Sequence, residues 1–124
     1  MIVRNESATL KRCLDSIRTM VDSLIVVDTG STDNTVQIAL AAGAKVACFP
    51  WIDDFAAARN IALAMTNADW NVILDADESI VEGGSTIASL RQTKPDFVGA
   101  LRVESDFAVD GNISRASSWI ALAT

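Results

Sequence analysis

The sequence over residues 24–35 reads LIVVDTGSTDNT, and this stretch decides the fold. Its first four residues are apolar and largely β-branched, which is typical of a strand buried on both faces of a parallel sheet. Asp28 ends this strand, and the small polar residues after it supply the turn and capping groups from which a helix begins. The stretch therefore predicts a β-strand that leads directly into an α-helix.

Further strands and helices alternate around this unit. Short apolar segments at residues 1–3, 45–49 and 70–74 predict three more strands. An apolar stripe after the first of them predicts an amphipathic helix, with Asn5 or Ser7 as its N-cap. The members of the stripe are Leu10, Cys13, Leu14, Ile17 and Val21. This alternation indicates an α/β fold in which helices cover both faces of a mostly parallel central sheet.

The last part of the chain has a different pattern. An alanine-rich helix is predicted at residues 55–65, with Asp53 or Asp54 as its N-cap. It precedes residues 70–74, the last strand predicted for the parallel sheet. Extended segments at 97–104 and Asn112–Leu122 are then predicted to pair as antiparallel strands through the Asp110-Gly111 turn. An exposed edge of these strands invites pairing with a second copy, which predicts a homo-oligomer.

Composition excludes several classes of function. The chain has 124 residues, which fits one domain, and its net charge of −6 disfavours nucleic-acid binding because that requires a surplus of Lys and Arg. It contains no histidine, which excludes Ser-His-Asp and Cys-His nucleophiles and His-ligated zinc. Cys13 and Cys48 lie in apolar patterns that predict buried free thiols. No secretory signal or transmembrane segment is recognisable, so a cytoplasmic location is expected.

Polar groups follow three of the predicted strands. They are Arg4-Asn5-Glu6, Asp28-Thr29-Gly30 and Asp75-Ala76-Asp77. Because the carboxyl ends of parallel strands meet at one edge of a sheet, where α/β proteins bind their ligands, these groups are expected to converge. On an extended strand end, Asp75 and Asp77 project to the same side, where they can face a Mg²⁺ or Mn²⁺ ion together with phosphate oxygens.

Simpler interpretations of the same residues stay open. The acids at 75–78 can form a solvated turn, Asp28 can cap the turn that follows it, and Arg59 can be a surface side chain. A phosphatase of the haloacid-dehalogenase type is a further alternative, with Asp75 as nucleophile. That motif belongs at the start of a domain, whereas three strand-helix units precede it here, and no later Asp-Asp pair remains for magnesium.

Together, these segments resemble the family 2 glycosyltransferases of the GT-A fold. The resemblance is carried by residues 1–6, 26–35, 55–60 and 70–78. It implies a Rossmann-like three-layer sandwich that binds a nucleotide sugar, usually a UDP-sugar, with Mg²⁺ or Mn²⁺. Its closest branch decorates lipopolysaccharide cores, surface polysaccharides, proteins or peptides in bacteria, by an inverting transfer to an acceptor hydroxyl.

The resemblance also implies a role for each matching side chain. Asp28 would bind the nucleotide base, Glu6 would shape the base pocket, and Arg59 would lie near the base or the diphosphate. Asp75 would contact the ribose or the sugar, and Asp77, the last residue of the DXD-like motif, would ligate the metal.

The chain departs from the family pattern after the last of these segments. The family's base and acceptor-binding elements, including a His-Glu pair, normally lie downstream, and the sequence assigns no catalytic base. We therefore expect an incomplete, donor-binding part of a transferase that lacks the acceptor-binding part. The alternative is a non-catalytic or inactive nucleotide-sugar-binding fragment.

Overall fold

A computed structural model describes the backbone of residues 1–122 and the side chains of residues 1–100, 102 and 110–112. Strands and helices alternate along most of this length, as the sequence predicts. The elements are β1 (Ile2–Val3), α1 (Leu10–Ile17), β2 (Ile25–Asp28), α2 (Thr35–Ala41), β3 (Lys45–Cys48), α3 (Phe55–Ala64), α4 (Gly84–Ser89), a 3-10 turn (Leu90–Gln92), β4 (Gly99–Val109) and β5 (Asn112–Leu122).

The first three strands form a parallel sheet in the order β1-β2-β3. The central strand, β2, pairs with β1 at Val27 and Asp28, and with β3 along all of its residues. In this register Asp28 lies opposite Val3 on one side and opposite Cys48 on the other. The polar residues that follow β1 and β2 therefore leave the sheet at the same edge.

Helices cover both faces of this sheet. Val26 is fully buried in a cluster with Leu10 and Leu14 of α1 and Ala39 of α2. Val27 is also fully buried, and because successive strand residues point to opposite faces, it lies on the other side of the sheet. Helix α3 contacts both β1 and β2. The predicted α/β architecture with a mostly parallel central sheet is confirmed.

The fourth predicted parallel strand does not form. Residues 70–74 contain only a single bridge residue, Asn71, and no regular strand. Leu74 is nevertheless buried beside Cys13 and Ile17, with Met1 packed against the same cluster. The segment thus makes the apolar contacts that its sequence predicts, but β1 has only two residues and offers a short edge for a ladder.

Two cap predictions have different outcomes. Asp54 caps α3, as one of the two predicted candidates, by accepting a hydrogen bond from the amide of Ala57 at 3.0 Å. Neither Asn5 nor Ser7 caps α1; the N-cap position is Thr9, which makes no capping hydrogen bond through its side chain. The stripe predicted for α1 is buried from Leu10 to Ile17, and the helix ends before Val21.

The predicted hairpin is present as a separate two-stranded sheet. β4 and β5 are antiparallel and are joined at Asp110 and Gly111, both of which have positive φ angles. The side chains of Glu104 and Asp106 lie outside the described residues. Pairing of two copies through a strand edge stays a prediction. Among residues 1–122, no helix has the length and apolar character that crossing a membrane requires.

The two cysteines differ in exposure, and one prediction about them is wrong. Cys13 is buried, as expected, but Cys48 is exposed. The reason is that β3 is an edge strand of the sheet, and Cys48 stands at its end. Burial raises the pKa of the Cys13 thiol to about 12, and nearby Glu78 adds to this shift. Only Cys48 is thus placed to react as a thiolate.

We expect a thiol reagent at pH 8 to label Cys48 in the folded protein and to label Cys13 only after denaturation, because the thiolate is the reactive form. Mass spectrometry of the native and denatured protein measures this. The Cys48→Ser variant is the control and should show no labelling while folded. Equal rates for both thiols in the native protein would contradict the placement of Cys13.

Candidate functional site

Hydrogen bonds join the segment after β1 to the segment after β2. The side-chain carbonyl of Asn5 accepts the backbone amide of Thr32 at 2.7 Å and its hydroxyl at 3.3 Å. The backbone amide of Asn5 donates to the hydroxyl oxygen of Ser31 at 2.9 Å. Asn5 has a φ of 53°, a conformation that asparagine adopts more readily than most residues. Both segments are therefore fixed to each other at the sheet edge.

Glu6 extends this connection to the start of α2. Its backbone amide donates to the hydroxyl oxygen of Thr35 at 2.9 Å, and Thr35 is fully buried. The Thr35 hydroxyl and amide both donate to the carboxylate of Asp33. The Glu6 carboxylate accepts a hydrogen bond from the Thr9 hydroxyl at 3.2 Å. Glu6 thus lies at the predicted edge, and its role in a base pocket stays a prediction.

Asp28 caps the turn that follows β2. Its side chain is almost buried, with 5% of the residue exposed. One carboxylate oxygen accepts the amides of Gly30 at 3.2 Å and Ser31 at 3.1 Å, and the other accepts the Ser31 hydroxyl. Gly30 has a φ of 119°, which explains why this position is a glycine. Because a carboxylate has about four acceptor positions, three donors leave one for a ligand.

The acidic segment after residue 74 is a turn and not the end of a strand. The amide of Glu78 donates to the carbonyl of Asp75 at 3.0 Å, and the Glu78 carboxylate accepts the amide of Asp75 at 2.8 Å. Strand alternation therefore does not place Asp75 and Asp77 on one side, and that part of the prediction is wrong. Both residues are nevertheless exposed, on either side of the buried Ala76. The turn, rather than strand alternation, brings both side chains to solvent.

Helix α1 anchors this turn. The Cys13 thiol donates to the carbonyl of Asp75 at 3.3 Å, and the Arg12 guanidinium donates to the carbonyl of Asp77 at 3.1 Å. Burial raises the pKa of Glu78, and the charges of Asp75 and Asp77 add to this effect. The turn is thus a compact acidic site whose backbone is held and whose two aspartates are exposed.

Arg59 is half-buried on α3, which argues against a purely surface side chain. Burial lowers the pKa of the Met1 ammonium group, and the charge of Arg59 lowers it further, whereas that of Asp75 opposes the shift. Arg59 and Asp75 therefore both lie within electrostatic range of the start of β1. Among the described residues, no carboxylate is within ion-pair distance of Arg59. Its positive charge is available to an anionic ligand.

The three polar segments share a common support. Ala76 packs in the same buried cluster as Val3, and Val3 is the register partner of Asp28. Within the part of the chain that the structure describes, no three Asp, Glu or Cys side chains are grouped closely enough to hold a metal ion. A divalent ion here would thus take one or two carboxylates and complete its shell with water and phosphate oxygens, as Mg²⁺ commonly does.

The sequence predicts that Asn5 lies at the polar edge and that Ser31 and Asp33 are turn and capping residues, but it does not predict the hydrogen bonds that connect the segments through Asn5, Ser31, Asp33 and Thr35. Asp33, rather than the N-cap residue Asn34, receives the Thr35 amide, at 3.0 Å. The spacing of Ser, Thr and Asp after a strand is the signal for such bonds, but it does not reveal that the partner lies 26 to 29 residues away.

Comparisons with known proteins identify one matching family model and several similar proteins. The family model described as Glycosyl transferase family 2 matches residues 1–115. A TPR repeat-containing protein of Synechococcus elongatus is 54% identical over 81 residues, which are 65% of this chain and 20% of that protein. An uncharacterized glycosyltransferase of Rickettsia felis is 40% identical over 80 residues, which are 64% of this chain and 28% of that protein.

A solved structure shows the same fold. Glucosyl-3-phosphoglycerate synthase from Mycobacterium tuberculosis, in complex with Mn²⁺ and UDP-glucose, is 36% identical with a TM-score of 0.55. The match covers 63% of this chain and 32% of that one. The same synthase has been solved with Mg²⁺ and UDP, and with phosphoglyceric acid beside UDP-glucose and Mn²⁺. The chain thus spans about a fifth to a third of the length of these similar proteins.

We expect Asp33 to make stability depend on pH in the acid range. The Thr35 hydroxyl, with help from Ser7, lowers the pKa of Asp33 from 3.8 to about 2. Its stabilising contribution is therefore present above pH 3.8 and is lost as the pH falls through about 2. The unfolding temperature of the wild type should fall more steeply between these values than that of Asp33→Asn. Parallel curves for the two proteins would contradict this role.

Proposed function

The chain belongs to glycosyl transferase family 2, and from that premise we propose that it forms the donor-binding part of an inverting glycosyltransferase. Its ligand would be a UDP-sugar held through Mg²⁺ or Mn²⁺ at the carboxyl edge of the parallel sheet. The support is that the similar synthase is described in complex with UDP-glucose and Mn²⁺, and with UDP and Mg²⁺.

One observation carries the proposal for the nucleotide. The Asp28 carboxylate is fixed by three donors and keeps one acceptor position, at the edge where segments from β1 and β2 meet. A fixed, nearly buried acceptor suits the N–H of a nucleobase, because an aligned hydrogen bond to a charged group is among the stronger ones. Glu6, which is attached to the same network through Thr35, would line the pocket beside the base.

The metal would be held on the acidic turn. Asp77 is exposed with its backbone anchored by Arg12, and it is the carboxylate we assign to the ion. Asp75 would contact the ribose or the sugar. A divalent ion bound there would neutralise the diphosphate and stabilise the charge of the departing nucleotide. Arg59 would add a second positive charge near the base or the diphosphate.

For the acceptor, the proposal names a chemical class and not a single compound. We propose a hydroxyl group of a surface polysaccharide or lipopolysaccharide, on the resemblance to the bacterial branch of the family. The similar synthase, in contrast, has been solved with phosphoglyceric acid. An inverting transfer also needs a base that deprotonates the acceptor hydroxyl. Within the described part of the chain, no carboxylate stands out for that role.

This last point favours a second candidate function. The chain would then bind a nucleotide sugar without transferring it, as a non-catalytic or inactive donor-binding fragment. The two candidates share the same donor site, so they differ only in turnover. Binding and transfer are therefore measured separately.

We expect isothermal titration calorimetry to show that UDP binds in the presence of Mn²⁺ and that Asp77→Ala weakens this binding at least about tenfold, or ~1.4 kcal/mol. The reason is the loss of a carboxylate from the proposed metal site. The matched control is Asp69→Ala, which removes an exposed carboxylate beside Trp70, away from the acidic turn. Circular dichroism verifies folding. Equal affinities for wild type and Asp77→Ala would contradict the assignment of the ion.

We expect this chain to release little or no UDP from UDP-sugars, with or without acceptors. The acceptors tested are lipopolysaccharide core, polysaccharide fragments and phosphoglyceric acid, with a coupled assay for UDP. The physical reason is that a donor site without a positioned base does not activate the acceptor hydroxyl. Turnover that Asp77→Ala abolishes would instead show that the chain is catalytic by itself, and it would exclude the non-catalytic candidate.

A further inference from the structure

We infer that Ser31 is a positioning residue that fixes the Asp28 carboxylate for recognition of the base. The inference rests on the proposed function, since Asp28 is proposed there to contact the nucleotide. It adds a residue that the resemblance does not assign, and it explains how one carboxylate can distinguish between nucleobases.

Ser31 holds both oxygens of the carboxylate. Its backbone amide donates to one oxygen of Asp28 at 3.1 Å, and its hydroxyl donates to the other oxygen. The amide of Gly30 adds a third bond, to the same oxygen as the Ser31 amide. A carboxylate bound on both oxygens by one residue has little freedom to rotate. Asp28 is therefore fixed in orientation as well as in position.

A bond from the neighbouring strand fixes the direction of the Ser31 hydroxyl. The backbone amide of Asn5 donates to the Ser31 hydroxyl oxygen at 2.9 Å. Because that oxygen accepts from Asn5, its own proton is directed elsewhere, and Asp28 is the acceptor that lies there. Hydrogen bonds in such a chain strengthen one another. The hydrogen bond from Asn5 to Ser31 and the hydrogen bond from Ser31 to Asp28 thus donate in the same direction.

This arrangement determines what Asp28 offers to a ligand. One oxygen already accepts two donors, so the remaining position belongs to the oxygen that Ser31 contacts through its hydroxyl. That position accepts and cannot donate. A base that presents an N–H there, as uracil does at its ring imide, would bind, whereas cytosine presents an unprotonated ring nitrogen at the same place. Ser31 therefore supports selection of uracil over cytosine.

The test compares the affinities of UDP and CDP, each with Mn²⁺, by calorimetry. We expect Ser31→Ala to weaken UDP binding about tenfold and to reduce the ratio of the UDP and CDP affinities, because the carboxylate is then held through one oxygen only, by the two backbone amides. Ser31→Thr keeps the hydroxyl and should restore most of both quantities. A general loss of stability would lower both affinities together and would leave their ratio unchanged.

The matched control is Ser89→Ala, since Ser89 is on α4 and its hydroxyl donates to the carbonyl of Thr86, outside the network of Asn5, Ser31 and Asp28. This variant should keep the ratio of the wild type. If Ser31→Ala does not fold by circular dichroism, Ser31→Cys, a weaker donor, is measured in its place with the same expected direction.

The outcomes separate this inference from the proposal on which it rests. If the wild type binds UDP and the variant at Ser31 keeps the wild-type ratio, the positioning role is overturned and the proposed donor site stands. If Ser89→Ala lowers the ratio as much as the variant at Ser31, the positioning role is also overturned. If the wild type does not bind UDP with Mn²⁺, the proposed function and this inference are overturned together.

Discussion

The connection between the ends of β1 and β2 is the constraint on which the rest of the structure depends. The backbone and side chain of Asn5 and the amide of Glu6 bond to the turn after β2, across 26 to 29 residues of sequence. These partners are Ser31, Thr32 and Thr35. Because β1 has only two residues, backbone pairing alone gives it a short attachment. The connection therefore orders the strand and the polar edge together.

The same edge of the sheet shows how an acidic chain can offer a site for the proposed anionic ligand. The carboxylates of Asp28 and Asp33 accept hydrogen bonds from backbone amides and hydroxyl groups, and Asp28 keeps one acceptor position. Asp75 and Asp77 are two exposed carboxylates in one turn. Arg59 is on helix α3. The cation is thus proposed at exposed carboxylates, and the base at a carboxylate whose other acceptor positions are already filled.

Much of the fold could be predicted from the sequence, because the apolar runs and their polar ends are local signals. Residues 24–35 give β2 and the start of α2, and Asp54 gives the cap of α3. The apolar run at residues 70–74 predicts a strand that does not form, because a ladder also depends on the length of its partner strand, which no local pattern contains. The exposure of Cys48 depends on sheet order in the same way. In the site, the residue types at the strand ends predict which polar segments meet. The bonds of Ser31 and Thr35 to the distant segment after β1 could not be predicted in this way.

Helix α1 restricts the movement of the acidic turn. Its inner residues Leu10 and Leu14 belong to the main core, and its residues Arg12 and Cys13 bond to the carbonyls of Asp77 and Asp75. The turn cannot swing away without breaking contacts of a core helix. The entropy of ordering this side of the site is therefore lost when the domain folds and not when a ligand arrives. A preorganised site of this kind binds with a smaller conformational penalty.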